Sequence, residues 1–395
     1  MHTYIPFNHV SIGAEERAAV LRALDEGALG GNGPIGAQVQ ERLRGMLGVR
    51  HALLTTSCSH ALELAAMALR LAPGDEVIMP SFTFVTTASS VVRQGARPVF
   101  VDIDERTYNL DPEQVEQHIT PATRAILPVH YAGQGCEMDA ITDIARRHRL
   151  YIIEDAAQGL GARYGGRYLG AIGDIGCFSF HVTKNIIGGE GGAFVTNDDE
   201  IAEKAEIIRE KGTNRSKYLR GEVDKYTWVD VGSSFVPSDL LAAVILAQLD
   251  RMEQIHRLRQ AVWQRYQHGL HDLACHGDII LPYIQPEAEM NWHIYAFRVS
   301  DPERRDLVLD ELKRRGIGAT FHFVPLHSAP YARARWGYRA EDLPVTERVA
   351  ASLIRLPIYP DLTVEDQEYI IESIYDIFAS SSRRATHSEP VNAAV

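Results

Sequence analysis

The sequence predicts an α/β fold: a large unit built on a mostly parallel, seven-stranded sheet, followed by a smaller α+β unit. Three observations predict it. Between about residues 50 and 197, seven short apolar runs alternate with amphipathic helical stretches. The runs are continuously apolar, as in strands buried on both faces, and strands separated by covering helices lie parallel. A chain of 395 residues also exceeds what one hydrophobic core usually organises, so two packed units are expected.

The elements follow in order. A helix over 15–24 comes first. Strands are read at 51–55, 76–79, 98–102, 125–129, 151–153, 176–180 and 193–196, with helices at 61–71, 113–118 and 138–148. Pro73-Gly74-Asp75 is a turn between a helix and the next strand. From Ser238, a plausible N-cap, to about Leu270, apolar residues recur at helical spacing (Leu240, Leu241, Val244, Leu249, Met252, Ile255), which predicts one long helix leading out of the large unit. Beyond it lie strands near 294–299 and 318–323 and helices near 302–315, 345–353 and 364–379. The expected boundaries are 1–240 and 241–379, with 380–395, rich in Ser and Ala and without periodicity, a disordered tail.

Composition narrows the function. A formal net charge of −12 argues against broad nucleic-acid binding, although a few local donors can still hold a phosphorylated ligand. Cys58, Cys136, Cys177 and Cys275 are scattered, suggesting neither a zinc site nor a disulfide framework; apart from Cys58, in a loop, they read as buried, reduced filler. No metal is expected. Neither a signal peptide nor a run of about 18 apolar residues occurs, so the protein is expected to be cytoplasmic, with no membrane partner. Gly31-Asn32-Gly33-Pro34-Ile35-Gly36 spells the dinucleotide fingerprint GxGxxG, but it follows a helical segment where the fingerprint requires a strand, so it reads as a loop.

Two residues carry the chemistry. Asp155 ends an apolar strand at the rim where open α/β sheets bind ligands. Lys184 follows the next buried strand and precedes the glycine-rich 188–192. A Schiff-base cofactor needs such a pair: a lysine to form the imine, and a carboxylate to keep a pyridine nitrogen protonated so that the ring acts as an electron sink. Thr56-Ser57-Cys58-Ser59 ends a strand and opens a helix, where backbone N–H groups and the helix dipole favour an anion, so Ser57 and Cys58 are predicted phosphate ligands; Ser57 also suits a helix cap.

With Glu154-Asp155-Ala156-Ala157-Gln158, Phe178 to Asn185, Thr56 to Ser59, Pro80-Ser81-Phe82-Thr83-Phe84, Val129-His130-Tyr131-Ala132-Gly133 and Pro325-Leu326-His327 in this order, nearly the whole chain resembles the DegT/DnrJ/EryC1/StrS sugar-nucleotide aminotransferases. The resemblance implies the fold type I (aspartate aminotransferase-like) architecture, pyridoxal 5′-phosphate (PLP) bound through Lys184, and a homodimer with shared sites. It further implies that Asp155 meets the ring nitrogen, Gln158 the phenolic oxygen, Phe84 the ring face and Ser179 the phosphate. On position alone, Phe84 reads as core packing. Most members carry Asn-x-Arg after the glycine at Gly232; here Ser233-Ser234-Phe235 follows, so Ser234 is the replacement donor to the partner subunit's cofactor.

That Gly-Ser-Ser, with Lys211-Gly212-Thr213-Asn214-Arg215 and Asp224-Lys225-Tyr226-Thr227-Trp228, resembles one subgroup. It implies amination of dTDP-4-dehydro-6-deoxy-D-glucose at C4 by L-glutamate, giving dTDP-4-amino-4,6-dideoxy-D-galactose for surface polysaccharide of the enterobacterial common antigen type. His181, His322 and His327 lie in matched motifs and are candidates for the sugar-nucleotide site, with packing roles as the alternative. Lys211 and Arg215 could meet the diphosphate or be a solvated basic helix end. A 3-aminating enzyme and a non-catalytic sensor remain as rivals; a dehydratase relative would carry histidine in place of Lys184.

Overall fold

The computed structural model describes residues 4–27 and 29–386. All seven apolar runs form one sheet: β1 (His51–Thr55), β2 (Glu76–Pro80), β3 (Arg97–Val101), β4 (Thr123–Ile126), β5 (Tyr151–Asp155), β6 (Ile175–Ser179) and β7 (Gly192–Thr196), in the order β1-β7-β6-β5-β4-β2-β3. Neighbours from β3 to β6 are parallel. Only β7 opposes its neighbours β1 and β6, because the glycine-rich return from β6 contains no crossover helix.

The covering helices are α1 (Ala14–Asp25), α2 (Pro34–Leu47), α3 (Cys58–Ala68), α4 (Val85–Val92), α5 (Pro112–Gln117), α6 (Met138–His148) and α7 (Asp199–Arg209). Alternate strand residues point to opposite faces, and both faces are apolar. Leu53, Met79 and Phe194 pack with Leu62 and Ala65 of α3, while Leu54 and Val195 pack with Val39 and Leu43 of α2. Ile78 and Ile126 meet Ile141 and Ile144 of α6.

The long helix expected from Ser238 is two, α8 (Asp239–Asp250) and α9 (Met252–Gly269). Arg251 leaves helical geometry between them (φ −98°, ψ 3°), and its guanidinium binds Glu16 at 2.8 and 2.9 Å. Ser238 occupies the N-cap position without a side-chain hydrogen bond. The next residue, Asp239, instead accepts from the N–H groups of Ile35 and Gly36, both at 3.0 Å. That carboxylate holds the helix start where the fingerprint motif would place a phosphate. The motif is only partly the loop expected: Gly33 is the N-cap and Pro34 opens α2, its fixed φ suiting that position.

A second sheet, β8 (Ile279–Ile280), β9 (Tyr295–Val299) and β10 (Leu353–Leu356), is antiparallel throughout. The helices around it are α10 (Arg305–Arg314), α11 (Pro344–Ser352) and α12 (Val364–Thr386), and Phe297, Leu312 and Ile374 share its core. Ile5, in the stretch assigned by sequence to the first unit, bridges Ile317 and joins this core. The strand expected at 318–323 does not form; Ile317 and Thr320 make isolated bridges. A Cβ on Gly318 would lie 2.5 Å from the Phe7 nitrogen, so the N-terminal segment occupies the space a ladder partner needs. α12 continues to Thr386, into the stretch expected to be a tail, since no Gly or Pro interrupts it; residues 387–395 lie outside the described residues.

Two carboxylates join the sheets. Asp102, just after β3, accepts from the N–H groups of Val345 and Thr346 at the start of α11. Glu105 binds Arg298 of β9 at 2.9 Å and Arg348 of α11 through both oxygens, at 3.0 and 2.9 Å.

Candidate active site

The C-terminal ends of β5 and β6 open onto a cavity of about 350 Å³ whose lining includes Ser57, Asp155, Gln158, Ser179 and Lys184. Asp155 ends β5 and is buried. Its Oδ2 accepts from the Thr87 hydroxyl at 2.8 Å and its Oδ1 from the Ala157 N–H at 3.2 Å. Thr87 is in turn 2.8 Å from Thr83, one helical turn earlier. Burial raises the Asp155 pKa above the usual range, while these hydrogen bonds, Lys184 and His130 pull it down. A buried carboxylate so placed suits a cationic ring N–H.

Behind it, Glu154 is also fully buried. It accepts from the N–H groups of Gly170, Ile172 and Gly173 and lies 2.8 Å from His130 Nε2. His130 Nδ1 accepts from the Cys136 N–H, so Nε2 carries the proton and donates to Glu154. This network fixes the end of β5 and so aims Asp155.

Lys184 follows a turn closed by its own N–H on the His181 carbonyl. Neighbouring Asn185 is clamped: its amide donates to the Asn291 carbonyl at 2.6 Å, and its Oδ1 accepts from His293 at 2.9 Å. Burial, then the cations Lys184 and Arg259, hold His293 well below the ordinary histidine range, so it is neutral. The backbone at Lys184 is thus rigidly held, while Nζ has no hydrogen-bond or salt-bridge partner among the described residues. Burial lowers the Lys184 pKa, against the opposing effects of Cys58 and Asp155.

At the start of α3, Ser57 Oγ caps the helix by accepting from the His60 N–H at 3.1 Å, and it also lines the cavity, keeping its own hydrogen to donate. Cap and anion donor coexist in one residue. Gly191 pairs with Ser57, and a Cβ on Gly192 would lie 2.4 Å from the Ser57 carbonyl carbon, which is why glycines are needed here. Burial pushes the Cys58 thiol well above its usual pKa, so this residue offers its backbone N–H and not a thiolate. Ser179 Oγ, which accepts from the His181 N–H at 3.3 Å, lines the same cavity.

Gln158 Oε1 accepts from the Ala132 N–H at 2.8 Å, leaving the amide nitrogen to donate into the cavity. Phe84, by sequence position a core candidate, is 59% exposed and lines the cavity. The residues therefore fit PLP: an unpaired lysine, an acidic partner for the ring nitrogen, a donor for the phenolic oxygen, an open aromatic face and a helix start for the phosphate.

The other candidates separate. His181 sits at the rim, 2.9 Å from Thr183, and His322 lines the wall. His327 is not a site residue: it is fully buried, bonded to Ser81 at 2.7 Å and to the Ala340 carbonyl, so it packs the segment after β2. Lys211, Arg215 and Ser234 lie outside this chain's cavity, along the 210–234 segment, where Arg215 pairs with Glu210 at 3.7 Å. Cys275 is exposed, at the end of a short helix, unlike the buried Cys58, Cys136 and Cys177. Sequence reading missed Thr87, His293, Phe7 and Arg355. For Thr87 the signal was its spacing of four from Thr83; Arg355 directly precedes the matched Leu356-Pro357.

A lysine and a buried aspartate at the rim of this sheet, beside a phosphate-binding helix start, define a PLP-dependent aminotransferase of fold type I. The chain belongs to the DegT/DnrJ/EryC1/StrS aminotransferase family, whose model matches residues 10–375. It is 35% identical over 381 residues to the spore coat polysaccharide biosynthesis protein SpsC of Bacillus subtilis, covering 95% of this chain and 97% of SpsC. Among solved structures it resembles DesV of S. venezuelae (TM-score 0.87, 35% identity, 95% of this chain and 98% of DesV). It also resembles Spr1654 of Streptococcus pneumoniae in its PLP form (TM-score 0.88, 28% identity, 95% and 99% covered). Among the described residues no helix is long and apolar enough to cross a membrane.

Proposed function

We propose that the chain transfers the amino group of L-glutamate to C4 of dTDP-4-dehydro-6-deoxy-D-glucose, giving 2-oxoglutarate and dTDP-4-amino-4,6-dideoxy-D-galactose for a surface polysaccharide. The observation that carries the transaminase chemistry is the pairing of an unpartnered Lys184 Nζ with buried Asp155 in one cavity. The substrate rests on the resemblance of 211–215, 224–228 and Gly232-Ser233-Ser234 to the 4-aminating subgroup.

When bound, PLP supplies an aldehyde that exchanges amines and a ring that withdraws electrons from the carbon being deprotonated. Lys184 takes the proton from the α-carbon of glutamate and, in the second half of the cycle, returns one to C4 of the sugar. Its burial-lowered pKa favours the neutral base. Asp155 keeps the ring nitrogen protonated. Ser57, Ser179 and the α3 start hold the phosphate, and Gln158 and Phe84 fix the ring plane. The sugar face presented to Lys184 sets the configuration of the new amine.

The test is incubation of the protein with L-glutamate and the 4-keto sugar nucleotide, following 2-oxoglutarate and assigning the product by NMR. Nitrogen at C4 with galacto configuration supports the reading. Nitrogen at C3 from the 3-keto isomer overturns the regiochemistry, and ligand binding without 2-oxoglutarate identifies a sensor. Competition between thymidine and uridine sugar nucleotides decides the base.

A further inference from the structure

The cavity holds a second cation besides Lys184. Arg355, on β10, donates from Nη1 to His322 Nε2, and its guanidinium carbon lies 4.7 Å from the centre of the Phe7 ring. Its Nε is buried without a hydrogen-bond partner, and no carboxylate pairs with it among the described residues. Burial lowers its pKa to about 10, so it stays charged at neutral pH. His322 supplies no countercharge: burial, then Arg355 and Lys184, drive its pKa far down, and its Nδ1 lies 3.3 Å from the Tyr131 hydroxyl. A guanidinium held only by a neutral imidazole and a ring face is an unbalanced charge, costly unless an anion completes it. With Nη1 engaged, the Nε–Nη2 edge remains, the edge that grips a carboxylate through two parallel hydrogen bonds.

Two substrates use this cavity in turn. The phosphate of PLP has its own place at the α3 start. The reacting end of the keto sugar is uncharged, and its diphosphate lies on the far side of the ring. Only the amino donor carries a charge beside the nitrogen being exchanged: its α-carboxylate, two bonds from that nitrogen. We propose that Arg355 is the anchor for the α-carboxylate of the amino donor, held ready by His322 and Phe7 while the uncharged sugar occupies the same space. This rests on the transaminase reading above and adds a subsite to it.

The test separates the two half-reactions by the absorbance of the holoenzyme. For Arg355→Gln, KM for L-glutamate should rise by about 30-fold, the loss of a charge-assisted bidentate contact. The reverse half-reaction with the amino-sugar nucleotide should change by less than about 3-fold. Arg355→Lys should recover part of the loss. Without any turnover, calorimetry should show glutarate, a non-reactive dicarboxylate, binding Arg355→Gln about 10-fold or more weakly than the parent. Equal glutarate affinities, or equal losses in both half-reactions by both variants, overturn the assignment. If the parent aminates no sugar nucleotide, the proposed function fails, yet the glutamate half-reaction and glutarate binding still report on Arg355.

Discussion

Lys184 and Asp155 divide the chemistry at the scale of single residues, and each gives a distinct prediction. Lys184→Ala should lower transamination by at least about 10³-fold, since it removes both the covalent attachment and the proton carrier. Borohydride should then fix no label at position 184, whereas the parent is labelled there. The lowered Lys184 pKa has a sign that can be checked. Only the neutral amine captures the aldehyde, so the capture rate of PLP by apoenzyme should rise with pH and level off below 10.5, the ordinary lysine value. Thr87→Val tests the support of Asp155. Losing that hydrogen bond should reduce kcat by about 3- to 10-fold. It also removes an influence that holds the Asp155 pKa down. Asp155 must be ionised to work, so the acid limb of the rate profile should move to higher pH; an unmoved limb would show that Thr87 only packs. Lys184, Asp155 and Gln158 were legible in sequence because each belongs to a contiguous motif. Thr87, His293 and Arg355 were not, because each acts on partners far away in sequence (Thr87 on Asp155, His293 on Asn185, Arg355 on His322), and only the folded chain brings them together.

At the scale of elements, the continuous apolar runs were readable because both faces of the large sheet are covered, so burial alone marks the strands. Where the sequence misled, a tertiary contact overrode the local pattern. Arg251 breaks the helical run after Ser238 because Glu16 binds it, and 318–323 stays out of the ladder because Phe7 lies against Gly318. The Asp239 carboxylate at the α2 start is a similar long-range device. Asp239→Ala should cost about 1–2 kcal/mol, the worth of a charged helix cap, read as a lower midpoint in urea. The Glu105 clamp carries a pH dependence. Its partners Arg348 and Arg298 hold the Glu105 pKa down to about 2, against 4.5 for a free glutamate. A folded-state pKa lowered in this way contributes stability that is fully present above pH 4.5 and is lost as pH falls towards 2. Glu105 is partly exposed, which screens the pair, but Arg298 is only 5% exposed and loses its countercharge if the carboxylate goes. Glu105→Gln should therefore cost about 1 kcal/mol at pH 7, and the difference between variant and parent should vanish near pH 2. A constant difference across that range would mean that packing, and not charge, joins β9 and α11 to the loop after β3.

The whole molecule leaves one apolar region uncovered. Along 218–231, Tyr218, Leu219, Tyr226, Trp228, Val229 and Val231 are exposed, Trp228 at 75% and Val231 at 67%. A run of large apolar side chains in water on one segment marks a contact surface, and a two-fold dimer is the commonest way to cover it. The same segment carries Lys211 and Arg215 before the apolar run and Ser234 after it, all outside this chain's own cavity. Both facts agree if the segment crosses to a second copy and completes that copy's site, with Ser234 as donor to its cofactor phosphate. Light scattering should then give a mass twice that of the 44.0 kDa chain. Val231→Asp, a charge set into the apolar run, should shift the population towards monomer and at the same time weaken PLP retention, although every residue of its own cavity is intact. Ser234→Ala should weaken PLP by about 3- to 10-fold without changing the mass, the loss of one hydrogen bond to a phosphate. A Val231→Asp monomer that held PLP as tightly as the parent would show each site to be complete within one chain, and the position of 210–234 would then need a different explanation.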